Sequence, residues 1–208
     1  KVAFLPSVIG VKIRITVKAQ DRAVADELIN EAEVKIRKKI DKYIYGVDDE
    51  EIEEVIGRLL VERGLKIAVA ESCTGGLIAD RITNVPGSSR YFERGVVAYS
   101  NEAKVQILGV PEDLIKEHGA VSRQVAEAMA EGVRRISGAD IGISTTGIAG
   151  PTGATPNKPI GLVWIGYSDK DGAFAREFRF GDDRLENKQR ASQMALEILR
   201  RKLLGIEI

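Results

Sequence analysis

Cysteine and histidine are nearly absent: Cys73 and His118 each occur once in 208 residues. A lone thiol cannot close an internal disulfide, so nothing points to an oxidising compartment. One Cys and one His cannot build a zinc site of the usual kind. Net charge is also missing, with 31 Lys and Arg against 31 Asp and Glu. No global field therefore draws the chain to nucleic acid or to an anionic membrane, and an anionic ligand would need a local site. No run approaches the roughly 18 apolar residues of a membrane span. No secretory leader is visible, which makes the cytoplasm the default expectation. The first residue is Lys1 rather than Met, which raises the expectation of a fragment of something longer.

What is present is ordinary for a globular protein: 44% apolar and 30% charged residues. The length fits one generous domain, or one of ordinary size with a small companion. In residues 8–18, Val11, Ile13, Ile15 and Val17 alternate with Lys12, Arg14, Thr16 and Lys18, the pattern of a half-buried strand. Val24, Leu28, Ile29, Ala32, Ile36 and Ile40 then form a helical stripe. Tyr43-Ile44-Tyr45 reads as a short strand. Residues 1–46 thus read as a small β-α-β domain, and 47–208 as a second one.

In the second domain Asp48 reads as a helix N-cap and Gly64 as the C′ glycine of the helix through Ile52, Val55, Ile56, Leu59 and Leu60. Leu65–Ala70, Arg94–Ser100 and Ile141–Ser144 read as strands, and Ile160–Tyr167 with Ala173–Phe180 as a hairpin. Helices open at Leu77 and after Ser122, and a last one holds Met194, Ala195, Ile198 and Leu199. Helices interleaved with strands argue for an α/β fold with a mixed sheet covered by helices.

Four segments could carry chemistry. Glu71-Ser72-Cys73-Thr74-Gly75-Gly76 joins a strand to a helix. Such a turn can present backbone N–H groups and a helix dipole to an anion, with Ser72 and Thr74 as further donors. It can equally be a tight turn that only changes direction. Thr145-Thr146-Gly147-Ile148-Ala149-Gly150-Pro151 also follows a strand, where open α/β sheets bind ligands. The bland alternative is a flexible connection. Pro86-Gly87-Ser88-Ser89 and Tyr99-Ser100-Asn101-Glu102-Ala103-Lys104 offer a serine and a lysine. A lysine can activate a serine only if burial or a neighbouring cation lowers its pKa from about 10.4. A solvated Lys104 and a helix-capping Ser89 are the alternative. Arg184 stands near a helix start and could grip a phosphate, or simply sit in a solvated first turn. Cys73 with His118 could form a thiol pair, although a small buried cysteine is commoner.

Ala70-Glu-Ser-Cys-Thr-Gly-Gly-Leu77, Pro86-Gly-Ser-Ser89, Tyr99-Ser-Asn-Glu-Ala-Lys104, His118-Gly-Ala-Val-Ser122 and Gly147-Ile-Ala-Gly-Pro151 occur in one order. Together they resemble the C-terminal domain of the competence/damage-inducible CinA family, from about residue 50 onward. Residues 1–46 resemble the small KH-like connecting domain of longer members. Those members carry an upstream molybdopterin-binding-like domain, whose pyrophosphatase activity and metal need do not transfer to these residues. The resemblance implies a nicotinamide-nucleotide amidohydrolase. It would turn nicotinamide mononucleotide into nicotinic acid mononucleotide and ammonia, in pyridine nucleotide recycling, without cofactor or metal. Position by position, it makes Ser89 the nucleophile, Lys104 its base, and Tyr99 an aid to proton transfer or ring orientation. Ser72, Thr74, Gly75, Gly76, Thr146, Gly147, Ala149, Gly150 and Arg184 would contact substrate. Gly181-Asp182-Asp183-Arg184 carries one residue more than the family pattern, which leaves Arg190 as the alternative phosphate ligand. A homodimer is a family-level expectation. The competing reading is a non-catalytic nucleotide-binding or regulatory module linked to competence or DNA damage. Residues 1–46 lack the Gly-X-X-Gly clamp of nucleic-acid-binding KH domains, so nucleic acid is not an expected partner.

Overall fold

The computed structural model describes residues 1–208, which divide into two compact units, Lys1–Glu51 and Ile52–Ile208. In the first, β1 (Val2–Ser7) pairs antiparallel with β2 (Gly10–Ile15), and α1 (Arg22–Ile40) follows. Asp21 caps α1 by accepting from the Val24 N–H. The order is therefore β-β-α and not β-α-β. Tyr43–Tyr45 forms no strand, and Asp41–Tyr43 is a single 3-10 turn. The two-residue link Val8-Ile9 lets β2 pair with the segment just before it, so no distant strand is needed. β1 escapes the alternation test because Ala3-Phe4-Leu5-Pro6 is a mixed run, with Pro6 tolerated on a strand edge. The basic side chains of α1 are largely spent locally, Lys35 on Glu31 and Arg37 on Glu33 and Asp41.

The second unit opens with α2 (Ile52–Arg63). Asp48 is not its cap; it lies outside the helix at φ 57°. Gly64 does end the helix in the left-handed region, and the Leu65 N–H reaches back to Leu60 O. A five-stranded sheet follows from β3 (Ile67–Glu71), β4 (Phe92–Val97), β5 (Ile141–Gly147), β6 (Leu162–Asp169) and β7 (Gly172–Arg179). Its order is β4-β3-β5-β6-β7. β3 runs parallel to both β4 and β5, while β6 and β7 form an antiparallel hairpin on β5. The fold is thus α/β with a mixed sheet, as the interleaved pattern implies.

Side chains alternate across the sheet. Ala68 and Ala70 of β3 pack with Met129 and Val133 of α6 (Arg123–Ser137). Ile67 and Val69 face the other way, where α2, α3 (Leu77–Thr83) and α7 (Arg184–Leu204) pack together against the sheet. The α6 backbone lies very close to β5 and β6. A Cβ on Gly142 would come within 2.1 Å of Ala130 O, and one on Gly166 within 2.3 Å of Ala126 O. The Ser144 hydroxyl adds a 2.6 Å bond to Ala126 O. Two helices not expected from the sequence, α4 (Asn101–Leu108) and α5 (Glu112–His118), connect β4 to α6. No helix is long and apolar enough to cross a membrane.

One consequence of this topology governs the site. Parallel strands β3, β4 and β5 all end on the same sheet edge. The loops after them, at Ser72, Tyr99 and Ile148, therefore converge there.

Candidate active site

Lys104 enters the site from the first turn of α4, whose N-terminus Ser100 caps by accepting from the Ala103 N–H at 3.0 Å. Its side chain is 2% exposed. Nζ stands 3.1 Å from Ser72 Oγ, 3.0 Å from Ala98 O, 3.2 Å from Tyr99 O and 3.4 Å from Ser100 O. Burial pulls the ammonium pKa below its ordinary value, against the opposing pull of the Glu102 carboxylate. A neutral amine has two N–H bonds and one lone pair. Two of the carbonyls can take the former, leaving the lone pair for the Ser72 hydroxyl proton.

Ser89 does not share this site. It lies in the exposed 3-10 turn Ser88–Arg90, just before β4 begins. The register pairs Phe92 with Ile67 and Val97 with Glu71. Ser89 is thus at the start of these parallel strands and Ser72 beyond their ends. Five strand residues at ~3.3 Å each put about 17 Å of sheet between those ends. The serine that meets Lys104 is Ser72, which the sequence placed in the pocket but not at the base.

The Glu71–Gly76 turn is also built differently from an anion cradle. The Glu71 carboxylate, 1% exposed, accepts from the N–H groups of Gly76, Ile78 and Ala79 at 3.0, 3.1 and 2.9 Å. The chain's own carboxylate already fills the start of α3. Thr74 is fully buried and bonds Thr145 Oγ1 at 2.7 Å. Thr74, Gly75 and Gly76 therefore do not line the cleft. Gly75 and Gly76 serve the backbone, at φ of 64° and 98°. Their role is to swing the chain from β3 into α3 while Ser72 stays at the sheet edge.

The cleft has a volume of about 290 Å³, with Ser72 and Lys104 on its floor and Tyr99, Thr146, Gly147 and Arg184 around it. Ala149 and Gly150 also contribute. Thr146 Oγ1 donates to Ala120 O at 2.8 Å, which ties this wall to the turn before α6. Arg184 donates to Gly150 O at 2.7 Å and to the Tyr99 hydroxyl at 2.9 Å. Arg190 instead pairs with Glu186 and is not part of the cleft. Asn101, Ala120 and Val121 lie in two of the motifs quoted from the sequence, and they line the cleft without having been given a role there. Buried Asn187, equally unforeseen, donates from Nδ2 to Ala149 O and Gly181 O at 3.0 and 2.8 Å. Only its place one turn after Arg184 could have suggested it.

The thiol pairing is not formed. Burial pushes the Cys73 thiol up to about 12, which keeps it protonated. His118 ends α5, outside the cleft, where its carbonyl accepts from Lys158 Nζ at 2.6 Å. No group of three or more His, Cys, Asp and Glu side chains is placed to hold a metal ion. A wider groove of about 610 Å³ runs along α1, but its polar lining is exposed side chains such as Asp26, Glu27 and Lys38.

Comparison with known proteins agrees with this architecture. Residues 49–203 match the CinA C-terminal domain, and residues 1–46 the damage-inducible protein CinA KH domain. A putative competence-damage inducible protein of Caldicellulosiruptor saccharolyticus is 54% identical over 195 residues, covering 94% of this chain and 47% of that protein. One from Thermoanaerobacter sp. is 50% identical over 196 residues, covering 94% and 48%. The chain thus spans about half the length of the curated relatives it matches. Among solved structures, a competence-damaged protein (CinA) superfamily protein from Klebsiella pneumoniae superposes with a TM-score of 0.71 at 31% identity, over 75% of this chain and 99% of that one. The competence/damage inducible protein CihA from Agrobacterium tumefaciens gives 0.67 at 41% identity, over 74% and 96%. These matches place the chain in the CinA family, with its KH domain followed by its C-terminal domain.

Proposed function

We propose that the cleft hydrolyses a carboxamide through Ser72 and Lys104, and that its substrate is nicotinamide mononucleotide. The 3.1 Å approach of a buried lysine Nζ to Ser72 Oγ carries the reading. Lysine is a poor base in water and a competent one when desolvated. Ser72 Oγ attacks the carboxamide carbon while its proton passes to Lys104. The tetrahedral intermediate then expels ammonia, which takes that proton back. Water attacks the resulting ester, Lys104 receives the water proton, and Ser72 Oγ leaves with it as nicotinic acid mononucleotide departs.

Developing charge on the carbonyl oxygen calls for a donor near Ser72. The Ser72 N–H is spent on Thr145 O and the Gly75 N–H on Ser72 O. Of this turn, Cys73 lines the cleft and keeps an N–H free of backbone acceptors, which makes it the candidate. The cationic pyridinium of the substrate makes its carboxamide carbon more electrophilic. No acidic side chain lines the cleft, which suits the substrate's phosphate. The test is ammonia release from nicotinamide mononucleotide by the chain without added metal. Absence of ammonia removes the substrate assignment, and full turnover by Ser72→Ala removes the mechanism.

A further inference from the structure

Residues 151–159 form an arch beside the cleft, and Thr152 and Gly153 of this arch line it. Backbone bonds close its root: the Ile148 N–H donates to Leu162 O and the Gly161 N–H to Ile148 O, both at 2.8 Å. α7 holds the entry to the arch through Ala149 O and Gly150 O. Beyond the root, residues 151–157 are exposed, and at the tip Thr155 and Lys158 exchange backbone bonds of 2.9 and 3.1 Å. From Thr152 to Lys158 the only side chain that makes a hydrogen bond is that of Lys158, half-buried, whose Nζ reaches His118 O at 2.6 Å.

The receiving end is fixed. His118 ends α5, so its carbonyl has no partner further along the helix, and an ammonium satisfies it. Next to it, Ser122 Oγ donates to Gly119 O at 2.8 Å and Thr146 Oγ1 to Ala120 O. Ala120 and Val121 of this turn line the cleft. Gly119 leaves room for the ammonium: a Cβ there would stand 2.7 Å from Lys158 Nζ, and its φ of 75° suits glycine.

We propose that Lys158 is a positioning residue, whose ammonium straps the arch to the turn before α6 and so holds Thr152 and Gly153 at a set distance from Ala120 and Val121. An arch without the strap samples many backbone conformations, and a substrate must then order it on binding. The strap itself stands on these contacts, whereas its effect on turnover rests on the amidase reading above.

Hydrogen exchange of the full chain tests the strap without substrate. In Lys158→Met the Thr155 amide exchanges about 10- to 100-fold faster than in the wild type, the weight of a charge-assisted hydrogen bond in a local opening. The Ile148 and Gly161 amides at the root keep their wild-type rates. Lys158→Arg retains a cationic donor and slows the Thr155 amide again. In turnover, Lys158→Met raises KM for nicotinamide mononucleotide by up to about the same factor and leaves kcat near the wild-type value, since the strap touches neither Ser72 nor Lys104. Unchanged Thr155 exchange in Lys158→Met overturns the strap. Faster exchange with an unchanged KM, or a loss confined to kcat, overturns the positioning role. No ammonia from the wild type removes the amidase, and Thr155 exchange alone then decides the strap.

Discussion

Lys104 Nζ lies 3.1 Å from Ser72 Oγ and is held by the carbonyls of Ala98, Tyr99 and Ser100. Those three carbonyls come from the link between β4 and α4, and the serine from the end of β3. The pair therefore depends on the parallel β3–β4 register and on no single loop. Ser72→Ala and Lys104→Met should each lower kcat for amide hydrolysis at least ~10²-fold, the usual weight of a positioned acid–base partner. Ser89→Ala, at the far end of the sheet, should turn over like the wild type. Ammonia release under saturating substrate checks all three, and a Ser89→Ala variant as inactive as Ser72→Ala would return the nucleophile to Ser89.

The buried lysine makes the cleft sensitive to pH. Its pKa is lowered by burial, so the neutral base accumulates at a pH below that of a free lysine. The kcat/KM profile should rise through this lowered value and level off before about 10.4. Folding stability moves with it. Between the lowered folded value and the unfolded value the unfolded chain carries the extra proton, so unfolding free energy rises with pH across that window. Below the window both states are protonated, and the cost of burying the ammonium is felt in full. Chemical denaturation of the wild type and Lys104→Met, compared across pH, isolates this slope. A stability difference that stays flat with pH would show that Lys104 does not titrate differently on folding.

Glu71 is the structural half of the signature turn. Its carboxylate caps three N–H groups at the start of α3. Glu71→Ala leaves those donors buried without an acceptor and should cost about 2–4 kcal/mol, read from the denaturant midpoint. Glu71→Gln keeps one carbonyl acceptor and should lose less. Unchanged stability together with weaker substrate binding would mean that these amides serve the ligand after all.

Much of the architecture was legible because periodicity reports burial directly. The strand at Ile67–Ala70, the Ser122 cap of α6 and the β6–β7 hairpin all follow from local pattern and turn chemistry. β1 was obscured because an apolar run containing Pro6 lacks alternation, and α4 and α5 because each is short. The cleft was legible as a set of loops but not as a set of partners. Ser72 and Ser89 both sit near glycines, and sequence spacing cannot say which sheet edge each occupies. That is decided by strand direction, which appears only once β3 and β4 are paired. The Glu71 cap was hidden for a related reason. A carboxylate six residues before a helix start can cap it only because the turn folds back through positive φ at Gly75 and Gly76.

Asn187 tests whether the second wall of the cleft is positioned from behind. Its Nδ2 bridges Ala149 O and Gly181 O, while Oδ1 has no partner within the chain. Arg184 fixes the adjacent Gly150 O, so α7 pins two successive residues of the loop facing Ser72. Asn187→Asp removes both donors and sets a carboxylate against two carbonyls in a buried position. It should therefore be worse than Asn187→Ala, which only leaves the carbonyls unpaired at about 1–3 kcal/mol. If Asn187 positions the wall, Asn187→Ala raises KM and leaves the pH dependence of kcat intact, because the Ser72–Lys104 pair stands on other elements. A shifted pH profile in Asn187→Ala would instead tie Asn187 to the proton transfers, and an unchanged KM would leave it a purely structural clamp.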